Sequence, residues 1–152
     1  MIATVAELDR IRIVCRSLVT RRALMSAGAA IVPVPGADVV ADVGLLTTLL
    51  PTISARFGLD HAQVEKLDPH LAQQALVVAA GVGNNVIGRM VTRTLVIQVL
   101  RRVGVRVATA SVAKYVPVLG SLVAAGLGFG AMKMVGNAHI EDCYKTARSL
   151  IA

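Results

Sequence analysis

A chain of 152 residues is long enough for one domain, so we treat residues 1–152 as a single helical unit. Hydrophobic residues make up 55% of it and aromatic residues only 3%, which leaves few stacking platforms and argues against a nucleic-acid partner. The net charge of +7 favours an anionic partner instead, and an anionic membrane surface is one such partner.

Residues 4–32 are predicted to form one helix or two abutting ones, with Thr4 as the cap and Glu7 three residues later as in a capping box. Apolar residues then recur at helical spacing, and arginines occupy much of the remaining surface. After Arg22 the pattern is apolar on all sides, which is typical of a buried helix. Residues 1–22 are therefore predicted to form a basic amphipathic helix, and residues 23–150 the helical core.

Two corners are predicted where prolines, which lack a backbone N–H and fix φ, are followed by a glycine. The first corner separates the first helix from a second one over residues 37–57, which makes an αα-hairpin. The second corner precedes the last helix, which runs to about residue 150. The corner residues are Pro33, Pro35, Gly36, Pro117 and Gly120.

Asp42 is an acidic residue on a predicted helix that is otherwise apolar, one turn after Asp38. Two carboxylates at this spacing can serve general acid–base chemistry or a metal site. Alternatively, Asp38 caps the helix and Asp42 forms a buried ion pair with an arginine. No histidine or third acidic residue is near in sequence, so we predict the ion pair, with Arg89 or Arg93 as the partner of Asp42.

The middle of the chain is predicted to hold a short helix capped by Asp60, followed by a long helix over residues 69–103. Asp68 is predicted to cap the long helix, with Pro69 at its first position. We interpret three glycines inside the long helix as sites of close helix packing: Gly81, Gly83 and Gly88. Gly104 is predicted to end this helix, and a further helix to cover residues 105–116.

The last helix becomes amphipathic beyond Gly136, so its polar residues are predicted to face water. These are His139, Glu141, Asp142, Lys145 and Arg148. Together the elements predict an all-α fold, a compact bundle of about five to six helices with helical hairpins and Pro-Gly corners.

Three stretches approach the roughly 20 apolar residues that a membrane span needs, but prolines or acidic residues interrupt two of them and one stops short. They cover residues 23–50, 75–88 and 115–132. We therefore predict that any membrane contact uses a helix face or a hairpin.

No catalytic, metal or cofactor signature stands out, so we expect no cofactor and no enzymatic activity. The histidines are scattered at His61, His70 and His139. Cys15 and Cys143 show no CxxC spacing, and the N-terminus has no export signal. These features predict a cytoplasmic protein, with peripheral contact at the inner face of the membrane as an option.

Three runs carry a resemblance to a known family: Ile31-Val-Pro-Val-Pro-Gly-Ala-Asp38, Asp42-Val-Gly-Leu-Leu46 and Arg56-Phe-Gly-Leu-Asp60. They resemble the C-terminal helical domain of the interferon-inducible, immunity-related GTPases, and the segment from Pro117 onwards resembles the end of that domain. The chain is similar also to a bacterial family of uncharacterised, membrane-associated helical domains, often fused behind Era-like GTPase domains. The similarity covers about residues 23–150.

The Gly-x4-Gly-Lys-Ser/Thr loop of those GTPases is absent from this chain, so their nucleotide site has no counterpart here. The resemblance implies an all-helical module that contacts membranes, assembles with other copies or relays a nucleotide state.

These observations favour a non-enzymatic helical interaction module that self-associates, binds an anionic membrane surface, or does both. The residues expected at the membrane or partner surface are Arg10, Arg12, Arg16, Arg21, Arg22, Arg101, Arg102 and Arg106. One alternative is a soluble adaptor that docks on a partner protein, such as a GTPase supplied in trans. A multi-pass or pore-forming membrane protein and a carrier of apolar ligands are further alternatives.

Overall fold

The structure, a computed structural model, describes the backbone of residues 2–29, 37–110 and 120–151 and the side chains of residues 2–28, 43–102 and 129–151. Within these ranges the chain forms six helices and no strand, which confirms the predicted all-α bundle. The helices are α1 (Val5–Ala29), α2 (Ala37–Arg56), α3 (His61–Glu65), α4 (Pro69–Gly81), α5 (Arg93–Ala110) and α6 (Gly120–Ile151).

Helix α6 is the element around which the bundle is built, because α1, α2, α4 and α5 all pack against it. Helix α1 buries apolar residues at helical spacing toward this interior, and α2 and α6 bury the longer side chains that fill it. The core includes Leu8, Cys15, Val19 and Ala23 of α1, Leu46, Leu49, Leu50 and Ile53 of α2, and Met132, Val135, Ile140 and Cys143 of α6.

The close approach of α1 to α6 depends on Gly136. A Cβ atom added to this glycine would lie 2.7 Å from both methyl carbons of the buried Val19. Carbon atoms of neighbouring side chains normally stay at least 3.5 Å apart, so any larger residue would push the two helices away from each other. The glycine therefore sets the distance between the two longest helices among the described residues.

The predicted caps of the short helices are confirmed. The side chain of Asp60 accepts a hydrogen bond from the backbone N–H of Gln63 at 2.7 Å, and the Gln63 side chain accepts one from the N–H of Asp60 at 3.2 Å. Asp68 caps α4 in a similar way, with Pro69 at the first helical position. At α1, Thr4 accepts from the N–H of Glu7, but the Glu7 carboxylate accepts from Ala3 instead of completing the box at Thr4.

The prediction of one helix over residues 69–103 is wrong. Helix α4 ends at Gly81, and residues 82–92 form an irregular connection before α5 begins at Arg93. Gly83 and Gly88 have φ angles of 76° and 70°, a backbone conformation that other residues rarely adopt and that no α-helix contains. Gly83 and Gly88, two of the three glycines interpreted as packing sites, therefore belong to the connection, and Gly81 is the last residue of α4.

The prediction that Gly104 ends a helix is also wrong, because α5 continues through it to Ala110. A single glycine costs a helix only about 1 kcal/mol relative to alanine, which neighbouring apolar contacts can offset. Pro51 similarly lies inside α2 without ending it.

The corner prediction stays a prediction. Gly120 is the first residue of α6, but Pro33, Pro35, Gly36 and Pro117 lie outside the described residues. The side chains of Asp38, Asp42 and Arg106 lie outside them as well. In the part of the chain that the structure describes, no helix combines the length and the apolar character needed to cross a bilayer.

Candidate functional site

His139 is buried, contrary to the prediction that it faces water. Its side chain is in the interior between α6, α2 and the connection 82–92, and only 3% of the residue is exposed. The sequence pattern suggested otherwise because a helix that is covered on several sides buries positions that look polar by spacing alone. Two polar side chains from other elements make this burial possible, Ser54 of α2 and Asn84 of the connection.

The orientation of the Asn84 amide follows from two backbone groups. Its Oδ1 atom accepts hydrogen bonds from the N–H groups of Val86 and Ile87, at 2.8 and 3.1 Å, so the other terminal atom must be the NH₂ nitrogen. That nitrogen lies 2.9 Å from Nδ1 of His139 and 3.0 Å from Oδ2 of Asp142 and donates to both. All four hydrogen-bonding positions of the amide are therefore used.

This arrangement decides the tautomer of His139. Because Nδ1 accepts from Asn84, the imidazole proton is on Nε2, which donates to Oγ of Ser54 at 2.8 Å. Burial away from water lowers the pKa of His139 to about 4, although a backbone hydrogen bond at Leu50 acts in the opposite direction. The ring is consequently neutral at pH 7, and we call Ser54, Asn84, His139 and Asp142 the polar network.

The polar network resembles a catalytic serine–histidine arrangement in composition but not in proton placement. A histidine that acts as general base needs a free lone pair on the nitrogen facing the serine, whereas Nε2 of His139 carries its proton toward Ser54. Cys143 lies 3.5 Å from the same nitrogen, but burial raises the pKa of its thiol, so the reactive thiolate is suppressed. The geometry supports a structural role that holds the connection 82–92 against α6.

A cleft of about 400 Å³ opens beside the polar network, between the start of the connection, α5 and α6. Asp142 lines it as a half-buried carboxyl group, and partial burial raises its pKa even though Asn84 donates to it. Arg102 of α5 lines the same cleft. Most of the remaining wall is apolar and consists of Leu50, Val82, Val86, Val99, Met134, Val135 and Ala138.

Two of the predicted surface arginines are engaged inside the chain. Arg12 donates from its guanidinium to both carboxylate oxygens of Glu141, and Arg16 donates to one of them at 2.7 Å. Arg12 also lies over the ring of Tyr144, 4.9 Å from its centroid, and the Tyr144 hydroxyl donates to Asp9. Partial burial alone would raise the pKa of Glu141, but the two arginines outweigh it and the pKa is lowered.

The other predicted arginines remain at the surface where their side chains are described. Arg10, Arg21, Arg101 and Arg102 are exposed and Arg22 is half-buried, and none of them forms an ion pair with a residue in the described ranges. Arg89 and Arg93, the proposed partners of Asp42, are both exposed. Because the Asp42 side chain is not described, that pairing stays a prediction.

Helix α1 is apolar on two opposite sides. One side packs into the core, while the other exposes Ile13 (68%), Val14 (48%), Leu24 (60%) and Met25 (57%). These residues recur at helical spacing, and Arg10 and Arg21 lie on the same side of the helix. We call these six residues the outer face of α1.

Sequence reasoning missed Ser54 and Asn84 as members of a site. An asparagine directly after Gly-Val-Gly is a usual place for a side chain to bond its own backbone, so the connection could have been recognised from Gly81-Val-Gly-Asn84. Ser54 had no such signal, because its role depends on a residue 85 positions away.

Among the described residues, no three side chains of histidine, cysteine, aspartate or glutamate come together closely enough to hold a metal ion. No protein-family model, curated protein or solved structure matches the chain.

Proposed function

We propose that the chain is a non-enzymatic helical module that binds an anionic membrane surface through the outer face of α1. The observation that supports this proposal is the two-sided apolar character of α1. A helix with one apolar side buries that side against the other helices of its bundle. Helix α1 has a second apolar side, which no described residue covers. We propose that an external partner buries that side.

The charges on the outer face favour an anionic partner. Arg10 and Arg21 lie among the exposed apolar side chains, and neither is neutralised by a described acidic residue. Arg12 and Arg16, which point toward α6, are already paired with Glu141. Apolar residues interleaved with unpaired arginines suit the interface of an anionic bilayer, where arginine heads meet phosphates and apolar side chains enter the acyl boundary.

The resemblance to membrane-associated helical domains that accompany GTPases supports the same proposal, in which the chain is cytoplasmic and the membrane contact is peripheral, at the inner face. Self-association and docking on a partner protein, including a GTPase in trans, would use the same uncovered side of α1. They are separate outcomes of the experiment below.

Vesicle co-sedimentation of the purified chain tests the proposal. Vesicles of phosphatidylcholine mixed with phosphatidylglycerol should pellet the chain, whereas pure phosphatidylcholine should pellet little of it. Raised salt should release the bound protein in part, because the electrostatic attraction is screened. Equal binding to both kinds of vesicle would contradict the role of charge.

Matched variants identify the face. Arg10→Gln/Arg21→Gln lowers the net charge from +7 to +5. It should weaken binding by about 2 kcal/mol, roughly 30-fold, at about 1 kcal/mol for each basic residue. The control Arg89→Gln/Arg148→Gln makes the same change of charge on the connection and α6, and it should retain most of the binding.

The apolar half of the face is tested in the same assay. Leu24→Gln/Met25→Gln should reduce pelleting, whereas Leu76→Gln/Val77→Gln, at exposed apolar positions of α4, should not. Light scattering completes the design. If the chain does not bind anionic vesicles but forms dimers that Leu24→Gln/Met25→Gln disrupts, the outer face of α1 serves self-association instead of membrane binding. If the chain is a monomer that binds no vesicles, both proposals are refuted.

A further inference from the structure

The cleft beside the polar network contains polar groups of two kinds. Asn84 and His139 have their hydrogen-bonding positions occupied within the network, so they have no free donor or acceptor for a ligand. Asp142 uses Oδ2 for Asn84, while Oδ1 accepts no hydrogen bond from the described residues. Arg102 lines the same cleft and has no ion-pair partner among the described residues.

Asp142 and Arg102 are therefore opposite charges that face one cleft without pairing with each other. A ligand with only a negative charge would meet the carboxylate, and one with only a positive charge would meet the guanidinium. An uncharged apolar molecule would remove water from both charges without replacing it, which is costly. A ligand that carries one charge of each sign can satisfy both residues.

The rest of the wall selects the body of such a ligand. Apart from Gly83, Asn85 and the already bonded Asn84 and His139, this wall is formed by aliphatic side chains and Met134. The volume of about 400 Å³ falls within the range of small-molecule sites, about 300–1,000 Å³.

We infer that the cleft binds a small apolar zwitterion of the amino-acid type, with its ammonium group at Asp142, its carboxylate at Arg102 and its apolar side chain against the aliphatic wall. Arginine suits this role because its planar donors match the two oxygens of a carboxylate. The inference is independent of the proposed membrane contact, which uses the outer face of α1.

Isothermal titration calorimetry of the full chain tests the inference with L-phenylalanine and L-leucine as probes. Both should bind, and three analogues should bind more weakly. N-acetyl-L-phenylalanine lacks the ammonium group, L-phenylalaninamide lacks the carboxylate, and glycine lacks the apolar body. The inference is overturned if neither amino acid binds, or if the three analogues bind as tightly as L-phenylalanine.

Variants then locate the site. Asp142→Asn and Arg102→Gln should each weaken phenylalanine binding by about 10-fold or more, which corresponds to the loss of one charge-assisted contact. The control Arg101→Gln removes the neighbouring exposed arginine, which does not line the cleft, and it should leave the affinity within about two-fold of the parent chain. Circular dichroism of each variant checks that it folds. Binding that survives both cleft substitutions in folded protein would show that the site lies elsewhere.

Discussion

The two sides of α6 are joined to the bundle by different kinds of contact. On the side of α1, Gly136 lets Val19 approach, and ion pairs such as Arg12 with Glu141 stay at the partly exposed rim. On the side of the connection 82–92, His139 and Asn84 form a buried chain of hydrogen bonds. Apolar contact is indifferent to proton concentration, whereas a buried network depends on the protonation state of each member. We therefore expect acidic pH to weaken the packing on the side of the connection and to leave the apolar packing of α1 on α6 unchanged.

The largest effect is expected from Asn84→Ala. This change removes four hydrogen bonds and leaves two backbone N–H groups, an imidazole nitrogen and a carboxylate oxygen short of a partner. At about 1–3 kcal/mol for each unsatisfied buried group, partly relieved by water, we expect a loss of about 4 kcal/mol in the free energy of unfolding. Urea denaturation measures it.

The control for that change is Asn85→Ala, at the adjacent asparagine, for which no described hydrogen bond exists. It should cost less than about 1 kcal/mol, because Asn85 is only half-buried and its removal leaves no described group without a hydrogen-bond partner. Similar losses for the two variants would mean that the polar network contributes little to stability.

The second prediction concerns pH and sets the network side apart from the α1 side. The pKa of His139 is about 4 in the folded chain and 6.5 in an unperturbed histidine, so the unfolded chain binds more protons between these values. The stability contributed by neutral His139 is complete above about pH 6.5 and is lost as the pH falls toward 4, by up to about 3 kcal/mol.

Urea denaturation of the parent chain and of His139→Asn at a series of pH values measures this term. The asparagine does not titrate, so the variant should lack that part of the slope. Asp142, whose pKa is raised by partial burial, gains relative stability as the pH falls, but it is present in both chains and cancels in the difference. Parallel pH profiles for the two chains would contradict the prediction.

The third prediction concerns the apolar packing of α1 against α6. Gly136→Ala places a methyl group against the Val19 methyls, and such overpacking typically costs about 1–3 kcal/mol. Gly130→Ala, on the same helix but with open space around its Cβ position, should be neutral or stabilising by up to about 1 kcal/mol. Thermal and urea denaturation compare the two.

The double variant Val19→Ala/Gly136→Ala sharpens this test, because removing the valine methyls makes room for the new one. It should be more stable than the sum of the single changes implies, by about 1 kcal/mol. Strict additivity would show that the two residues do not limit the distance between α1 and α6. The loss in Gly136→Ala should also not depend on pH between 4 and 6.5, in contrast to the histidine term.

The smallest effect is expected from Glu141→Gln, which removes the rim ion pairs of α1 with α6. Exposed pairs contribute little because water and salt screen them, so the loss of stability should be below that of Gly136→Ala and should fade at high salt. Glu65→Gln, in the exposed pair with His61, is the control. A loss of stability as large as that of Asn84→Ala would contradict the prediction that these partly exposed ion pairs contribute little to the free energy of unfolding.

The helices and their caps could be predicted from local sequence to a large extent. Asp60 with Gln63 and Asp68 with Pro69 are short-range signals, and the structure shows each in its expected place. The glycine spacing predicts a helix that continues past Gly81, and this prediction is wrong because glycine has two roles, as a packing site within a helix and as a residue that adopts positive φ after one. The spacing of glycines does not distinguish these roles, and only the backbone of Gly83 and Gly88 does.

The site was less predictable than the fold. The charged residues of α1 were recognised as a group, but their division into Arg12 and Arg16, which pair with Glu141, and Arg10 and Arg21, which face outward, depends on where α6 lies. His139 was expected at the surface for the same reason. Its environment is made by residues 55 and 85 positions away in the chain, and no local pattern contains such partners.

The sequence by itself determined the helical class, the excess of aliphatic residues and the positive charge, because these follow from composition and from periodicities of a few residues. Only the tertiary structure decided that α1 has a second apolar side that no described residue covers, that His139 is neutral and buried, and that Asp142 and Arg102 face one cleft. Those properties arise when distant segments exclude water from the same space, and which segments meet is a result of packing the whole chain.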